Sequence, residues 1–198
     1  MESFRITLAQ VAPAVMDVEK NMKRALSLLD DCAKRGSSIL VLPELYLSGY
    51  EVKEAISTEA GAKRLKGDVD AALPLIAEKT RESGCDILIS YPLFEHNGKR
   101  LNYRADGEKC FSNWKKLTQG TAFSQTSYVV CCNQAASGCS IYFGGSHVVD
   151  PNGDIVAQLP LFEEAVVDVE IDINYLPKIR EMRPLLHNER LDVYKKYI

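Results

Sequence analysis

Apolar and polar positions alternate along this chain in a way that divides it into short elements. Residues 4–11, FRITLAQV, are rich in β-branched and apolar side chains and give way to Pro13, which predicts a first strand. Asp17 is placed to cap a helix. In it Val18, Met22, Ala25, Leu26, Leu29 and Ala33 recur at helical spacing, with Glu19, Lys20, Lys23 and Asp30 on the other side, until Gly36 ends it. Ile39-Leu40-Val41-Leu42, closed by Pro43, has the continuous apolarity of a strand buried on both faces. A helical pattern over 68–82, a buried strand over 85–91 and a turn at HNGKR (96–100) follow. Strand, helix, strand, helix, strand describes a wound α/β layer.

The second half is organised differently. Residues 114–124 predict a helix and 128–132 a strand, while 145–149 pair with 155–159 across DPNGD as a β-hairpin. Residues 165–171 alternate as a further strand, and the remainder to 198 is an amphipathic, partly irregular tail. Only residues 102–113, NYRADGEKCFSN, join the two halves, and no second strand-helix-strand unit fits there. No linker, low-complexity tract or solenoid repeat interrupts the pattern, so residues 1–198 are expected to form a single domain, shortened around 102–113.

Composition narrows the partners. With 46% hydrophobic and 26% charged residues the chain matches an ordinary globular domain. A net charge of −3 and a pI near 5.7, with scattered Lys and Arg, argue against nucleic acid. No run approaches the ~18–20 apolar residues needed to cross a bilayer, and MESFRITLAQ lacks a basic leader and cleavable apolar core, so a cytoplasmic location off the membrane is expected. Six cysteines (Cys32, Cys85, Cys110, Cys131, Cys132, Cys139) are expected as reduced thiols. Adjacent Cys131 and Cys132 lack C-x-x-C spacing and His96, His147 and His187 are scattered singly, so neither a metal nor a cofactor is expected.

Glu44 directly follows the buried run ILVLP, where open α/β sheets place their active sites, at the carboxyl ends of strands. Taken alone, such a carboxylate reads more readily as the cap of the following turn or helix than as a catalytic group. The blocks FRITLAQVAP, ILVLPELYLSGY, TAFSQTSYVVCCNQ, FGGSHVVDPNGDIVAQ and VVDVEIDINYL, over residues 4–105 and 114–198, together resemble the carbon-nitrogen hydrolase (nitrilase) superfamily. The resemblance implies an αββα sandwich, here incomplete in its second half, that forms a homodimer or higher homo-oligomer. It also implies hydrolysis of a small amide, N-carbamoyl compound or nitrile through a Glu-Lys-Cys set. In that set the carboxylate takes the thiol proton, the ammonium faces the developing oxyanion and the cysteine forms a thioester.

The carboxylate role falls on Glu44, while the blocks that carry the family's lysine and cysteine are absent. Tyr103-Arg104-Ala105 matches either the family's tyrosine-arginine pair, with alanine in place of lysine, or an earlier strand. Lys109 and Cys110 are adjacent, so both converge on Glu44 only from an irregular loop. Cys131 and Cys132 read as buried strand thiols, and Cys139 has no neighbouring cation to lower its pKa. Gly144-Gly145-Ser146 precedes no helix and is no phosphate loop; by resemblance it starts a strand beside the site. Tyr50 and Asn133 match pocket-lining positions and read equally as a core tyrosine and a turn asparagine. The alternative function is a catalytically inactive, truncated relative that serves as an oligomerisation scaffold or has no function.

Overall fold

Strand β1 (Ser3–Gln10) sits inside a four-stranded sheet of order β3-β2-β1-β7, in the computed structural model that describes residues 3–52, 55–91, 107–135 and 142–185, the side chains of residues 55 and 107–110 excepted. Its five residues from Ile6 to Gln10 are all buried, as an interior strand covered on both faces requires. β2 (Ile39–Val41) runs parallel to it with Ile6 opposite Ile39 and Leu8 opposite Val41, and β3 (Asp86–Leu88) is parallel to β2. On the other side β7 (Ala165–Asp172) is antiparallel, in register from Ser3↔Asp172 to Gln10↔Ala165. A second sheet, β4-β5-β6, is built from β4 (Val129–Cys131) and the hairpin β5 (His147–Val149) and β6 (Ile155–Gln158), all antiparallel.

The two sheets meet through Ile6 and Leu8 of β1, Val169 and Ile171 of β7, Val148 of β5 and Leu159. Helices cover the outer faces. α1 (Val18–Lys34) starts at Asp17, whose Oδ1 accepts from the Lys20 amide at 3.0 Å, and presents Ala25, Leu29 and Cys32 to Ala9, Val11 and Leu40. α2 (Glu59–Ser83) packs on α1 through Leu65, Val69, Ala72 and Ile76. α3 (Gly107–Gln125) covers the second sheet, and a short α4 (Tyr175–Met182) follows β7. The layers are therefore α, β, β, α.

Three elements depart from the sequence expectation. α2 begins at residue 59 rather than 68, because Thr58 Oγ1 caps the Gly61 amide at 3.1 Å and Leu65 extends the buried stripe by one turn. α3 begins at 107 rather than 114, anchored by buried Phe111, so much of the supposed connection is helix. The strand expected over 85–91 shrinks to 86–88 and is not buried: among the described residues it is the outermost strand of its sheet, and Leu88 is 62% exposed. The turn at 96–100 and the tail beyond 185 lie outside the described residues.

Candidate active site

β2 delivers its chain end to the site. The Leu42 amide still donates to Leu88 O at 3.0 Å, but Pro43 has no amide to continue the ladder and the chain turns through Glu44. Leu45 adopts φ +52°, and both the Ser48 and Gly49 amides close onto its carbonyl, at 3.2 and 2.7 Å. The peptide joining Glu44 to Leu45 is held at both ends by side chains. Gln134 Nε2 donates to Glu44 O at 2.9 Å, and the Leu45 amide donates to Ser90 Oγ at 2.7 Å.

The Glu44 carboxylate itself faces solvent and accepts a hydrogen bond from the Tyr50 hydroxyl. Burial, then the hydrogen bond and charge of Glu44, push the Tyr50 hydroxyl well above the usual phenol range, so it stays a neutral donor. Its ring lies 6.1 Å from that of Tyr142. A solvent-reaching carboxylate oriented by one donor is equipped to take a proton from a neighbouring acid and give one back.

Behind it stands the end of β4. Cys132 points its thiol between the layers, at Ala9 O (3.5 Å) and Val41 O (3.4 Å), the carboxyl ends of the first two strands. Asn133 donates to Gly144 O (3.0 Å) from its side chain and to Ser146 Oγ (2.9 Å) from its backbone. Buried Gln10, from β1, donates to Pro160 O and Glu163 O at 2.8 and 2.7 Å and accepts from the Ser146 amide at 2.8 Å. One N-terminal side chain thus organises the loops on the far side of the site.

None of the described thiols is prepared to attack. Cys32, Cys85, Cys131 and Cys132 are free, and burial raises the pKa of each, to about 11 for Cys85 and Cys131 and about 12 for Cys132. Among the described residues no group of three or more His, Cys, Asp or Glu is placed to hold a metal ion. Fully buried His147 belongs to the packing between β5 and α3. Its Nδ1 lies 2.8 Å from Gly145 O and its Nε2 2.8 Å from Thr118 Oγ1, with the Trp114 ring centred 4.7 Å away. A carbonyl only accepts, so Nδ1 carries the proton, and burial lowers the pKa, keeping the ring neutral.

Of the residues singled out by sequence, the structure brings Tyr50 to Glu44 and places Asn133 beside Gln134. Cys132 and His147 bond other partners, and among the described residues neither they nor Cys131 donates a hydrogen bond to the Glu44 carboxylate. Lys109 and Cys110 are consecutive residues of the α3 backbone, not of an irregular loop, and their side chains, like Tyr103, Arg104, Ala105 and Cys139, lie outside the described residues. Gln134 and Ser90 carry no sequence signal of their role, whereas the Ser-Gly-Tyr closing the Glu44 turn does mark Tyr50. Among the described residues no helix is long and apolar enough to cross a membrane.

Comparison with known proteins adds an independent line. The family described as carbon-nitrogen hydrolase matches residues 5–108 and 109–181. A 2-oxoglutaramate amidase of Paenarthrobacter nicotinovorans is 35% identical over 83 residues, which cover 41% of this chain and 28% of that protein. A nitrilase and fragile histidine triad fusion protein of Caenorhabditis elegans is 29% identical over 168 residues, 82% of this chain and 35% of the fusion. The chain thus spans about a third of the length of these curated relatives. In fold it is similar to XC1258 of Xanthomonas campestris, a CN-hydrolase superfamily protein with an arsenic adduct in its active site. The TM-score is 0.74 at 17% identity, over 96% of this chain and 99% of that one.

Proposed function

The chain belongs to the carbon-nitrogen hydrolase family, and from that premise we propose that it hydrolyses a small primary amide, with Glu44 as the general base. The observation that carries this reading is the Glu44 carboxylate itself, solvent-reaching, held by Tyr50 and mounted on a peptide fixed from two other elements. An amide is favoured over a nitrile because amidases recur among the relatives, including the 2-oxoglutaramate amidase and an omega-amidase of Xenopus laevis.

In this reading a thiol passes its proton to Glu44 and attacks the amide carbonyl. The tetrahedral intermediate collapses as Glu44 returns the proton to the departing ammonia, leaving a thioester. Water, deprotonated by the same carboxylate, then releases the carboxylic acid and restores the thiol. The raised pKa of the four described thiols disfavours them in that role, so in this reading the nucleophile is Cys110 or Cys139. Lys109, about 100° from Cys110 around α3, is not assigned the oxyanion role. Residues 108 and 109 abut in the family match, which supports a shortened second half at that junction.

The test is ammonia release from a panel of small primary amides and N-carbamoyl compounds. Glu44→Gln is expected to abolish turnover, and one of Cys110→Ala or Cys139→Ala to do the same. Folded, unmodified protein that releases no ammonia from any member refutes the reading and leaves the inactive scaffold in its place.

A further inference from the structure

We infer that Gln134 is a positioning residue for the Glu44 base: its side-chain amide and the Ser90 hydroxyl grip opposite ends of one peptide and so aim the carboxylate. The inference rests on the reading of Glu44 as the base. Gln134 is 4% exposed, and its side chain crosses from the end of β4 to the other sheet, where Nε2 donates to Glu44 O at 2.9 Å. Its own backbone is fixed, the amide by Asn133 Oδ1 at 2.9 Å and the carbonyl by the Gly144 amide at 2.9 Å.

The gripped peptide is the one that needs holding. Leu45, at φ +52°, occupies a left-handed conformation that residues with side chains rarely adopt. Relaxing Leu45 to negative φ without a compensating turn at Glu44 moves the Glu44 Cα relative to the chain that follows, and carries its side chain away from Tyr50. Two side chains oppose this movement. Gln134 fixes the carbonyl and Ser90, from the chain following β3, fixes the amide at 2.7 Å. The direction of the carboxylate is therefore decided by residues from three segments of the fold that are distant in sequence. Through this contact a buried glutamine acquires a function.

Gln134→Met keeps the length of the side chain and removes the donor, and Ser90→Ala releases the other end of the same peptide. In either variant kcat is expected to fall about 10- to 100-fold with KM within about threefold, because misplacing a catalytic group by ~1 Å costs rate of that order. Crystal structures of the variant are expected to have Leu45 at negative φ and Glu44 out of reach of the Tyr50 hydroxyl. Should Gln134→Met not fold, Ser90→Ala gives the same readout from the other element. Unchanged kcat in a folded variant, or an unmoved 44–45 peptide, overturns the inference while leaving Glu44 as base. If the unmodified protein releases no ammonia, the base reading fails, and the crystal structures alone decide: a turned peptide in Gln134→Met sustains the positioning role and an unmoved one refutes it.

Discussion

Gly144→Ala is expected to be among the most damaging single-methyl additions in the fold. Gly144 has φ +68°, and a Cβ built on it lies 2.5 Å from Gln10 Nε2, 2.9 Å from Gln10 Cδ and 3.0 Å from Pro160 O. The backbone contribution alone is about 1–2 kcal/mol for an L-residue in the left-handed region. The methyl must also displace the Gln10 amide, whose three bonds, to Pro160 O, Glu163 O and from the Ser146 amide, contribute roughly 1 kcal/mol each. The sum is about 4–5 kcal/mol. With a urea m-value of about 2 kcal/mol/M, the unfolding midpoint should fall by about 2–2.5 M. Because the Gly144 amide and carbonyl also bind Gln134 O and Asn133 Nδ2, the damage reaches the frame behind Glu44. A midpoint shift under about 0.5 M at unchanged m-value would show that Gln10 yields freely and that the network is not rigid.

Two further outcomes are expected. Stability should fall in two stages on acidification. His147 has a folded pKa below that of the unfolded chain, so its contribution is full above about pH 6.5 and is lost as pH falls from there through the folded value. Glu164, lowered chiefly by the Arg24 hydrogen bond, and Asp168, where bonds from Thr7 and Arg35 outweigh burial, add a second loss below about pH 4. Urea midpoints across pH 3–8 check this, and a flat profile between pH 5 and 7 refutes the first stage. Self-association is also expected, because Leu88 on β3 and Val130 on β4, 62% and 38% exposed, leave apolar side chains on the outer strands of both sheets among the described residues. A monodisperse monomer in light scattering refutes it.

Much of the architecture is written in local pattern. β1, α1 and β2 follow directly from periodicity and from the stops at Pro13, Gly36 and Pro43, and the 150–154 turn specifies the β5–β6 hairpin. The first turns of α2 escape notice because residues 59–67 carry one large apolar side chain, Leu65, and include Gly61 and Gly67; a cap at Thr58 and the burial of Leu65 secure them. The start of α3 is hidden for a similar reason, since its anchor is one aromatic, Phe111, in a polar stretch. Glu44 is legible because a proline ends a buried strand beside it. Its supports are not: Ser90 bonds a residue 45 positions away and Gln134 one 90 positions away, and contacts between layers leave no periodic trace in a sequence. Tyr50, only six positions from Glu44, is the exception.

The pairing of β1 with β7 has a consequence for how the chain is made. Gln10 is made 150 residues before its bonding partner Pro160 and 153 before Glu163, and its strand partner Ala165 follows these. At ~5–20 residues per second, β1 waits roughly 10–30 s for that partner. During the wait β1, β2 and β3 can align with α1 against them, but one long edge of β1 stays open, with apolar Ile6 and Leu8 uncovered by the second sheet. An unpaired apolar edge of that kind is a template for another nascent chain. The finished sheet thus competes with pairing between nascent chains for as long as β7 is unmade.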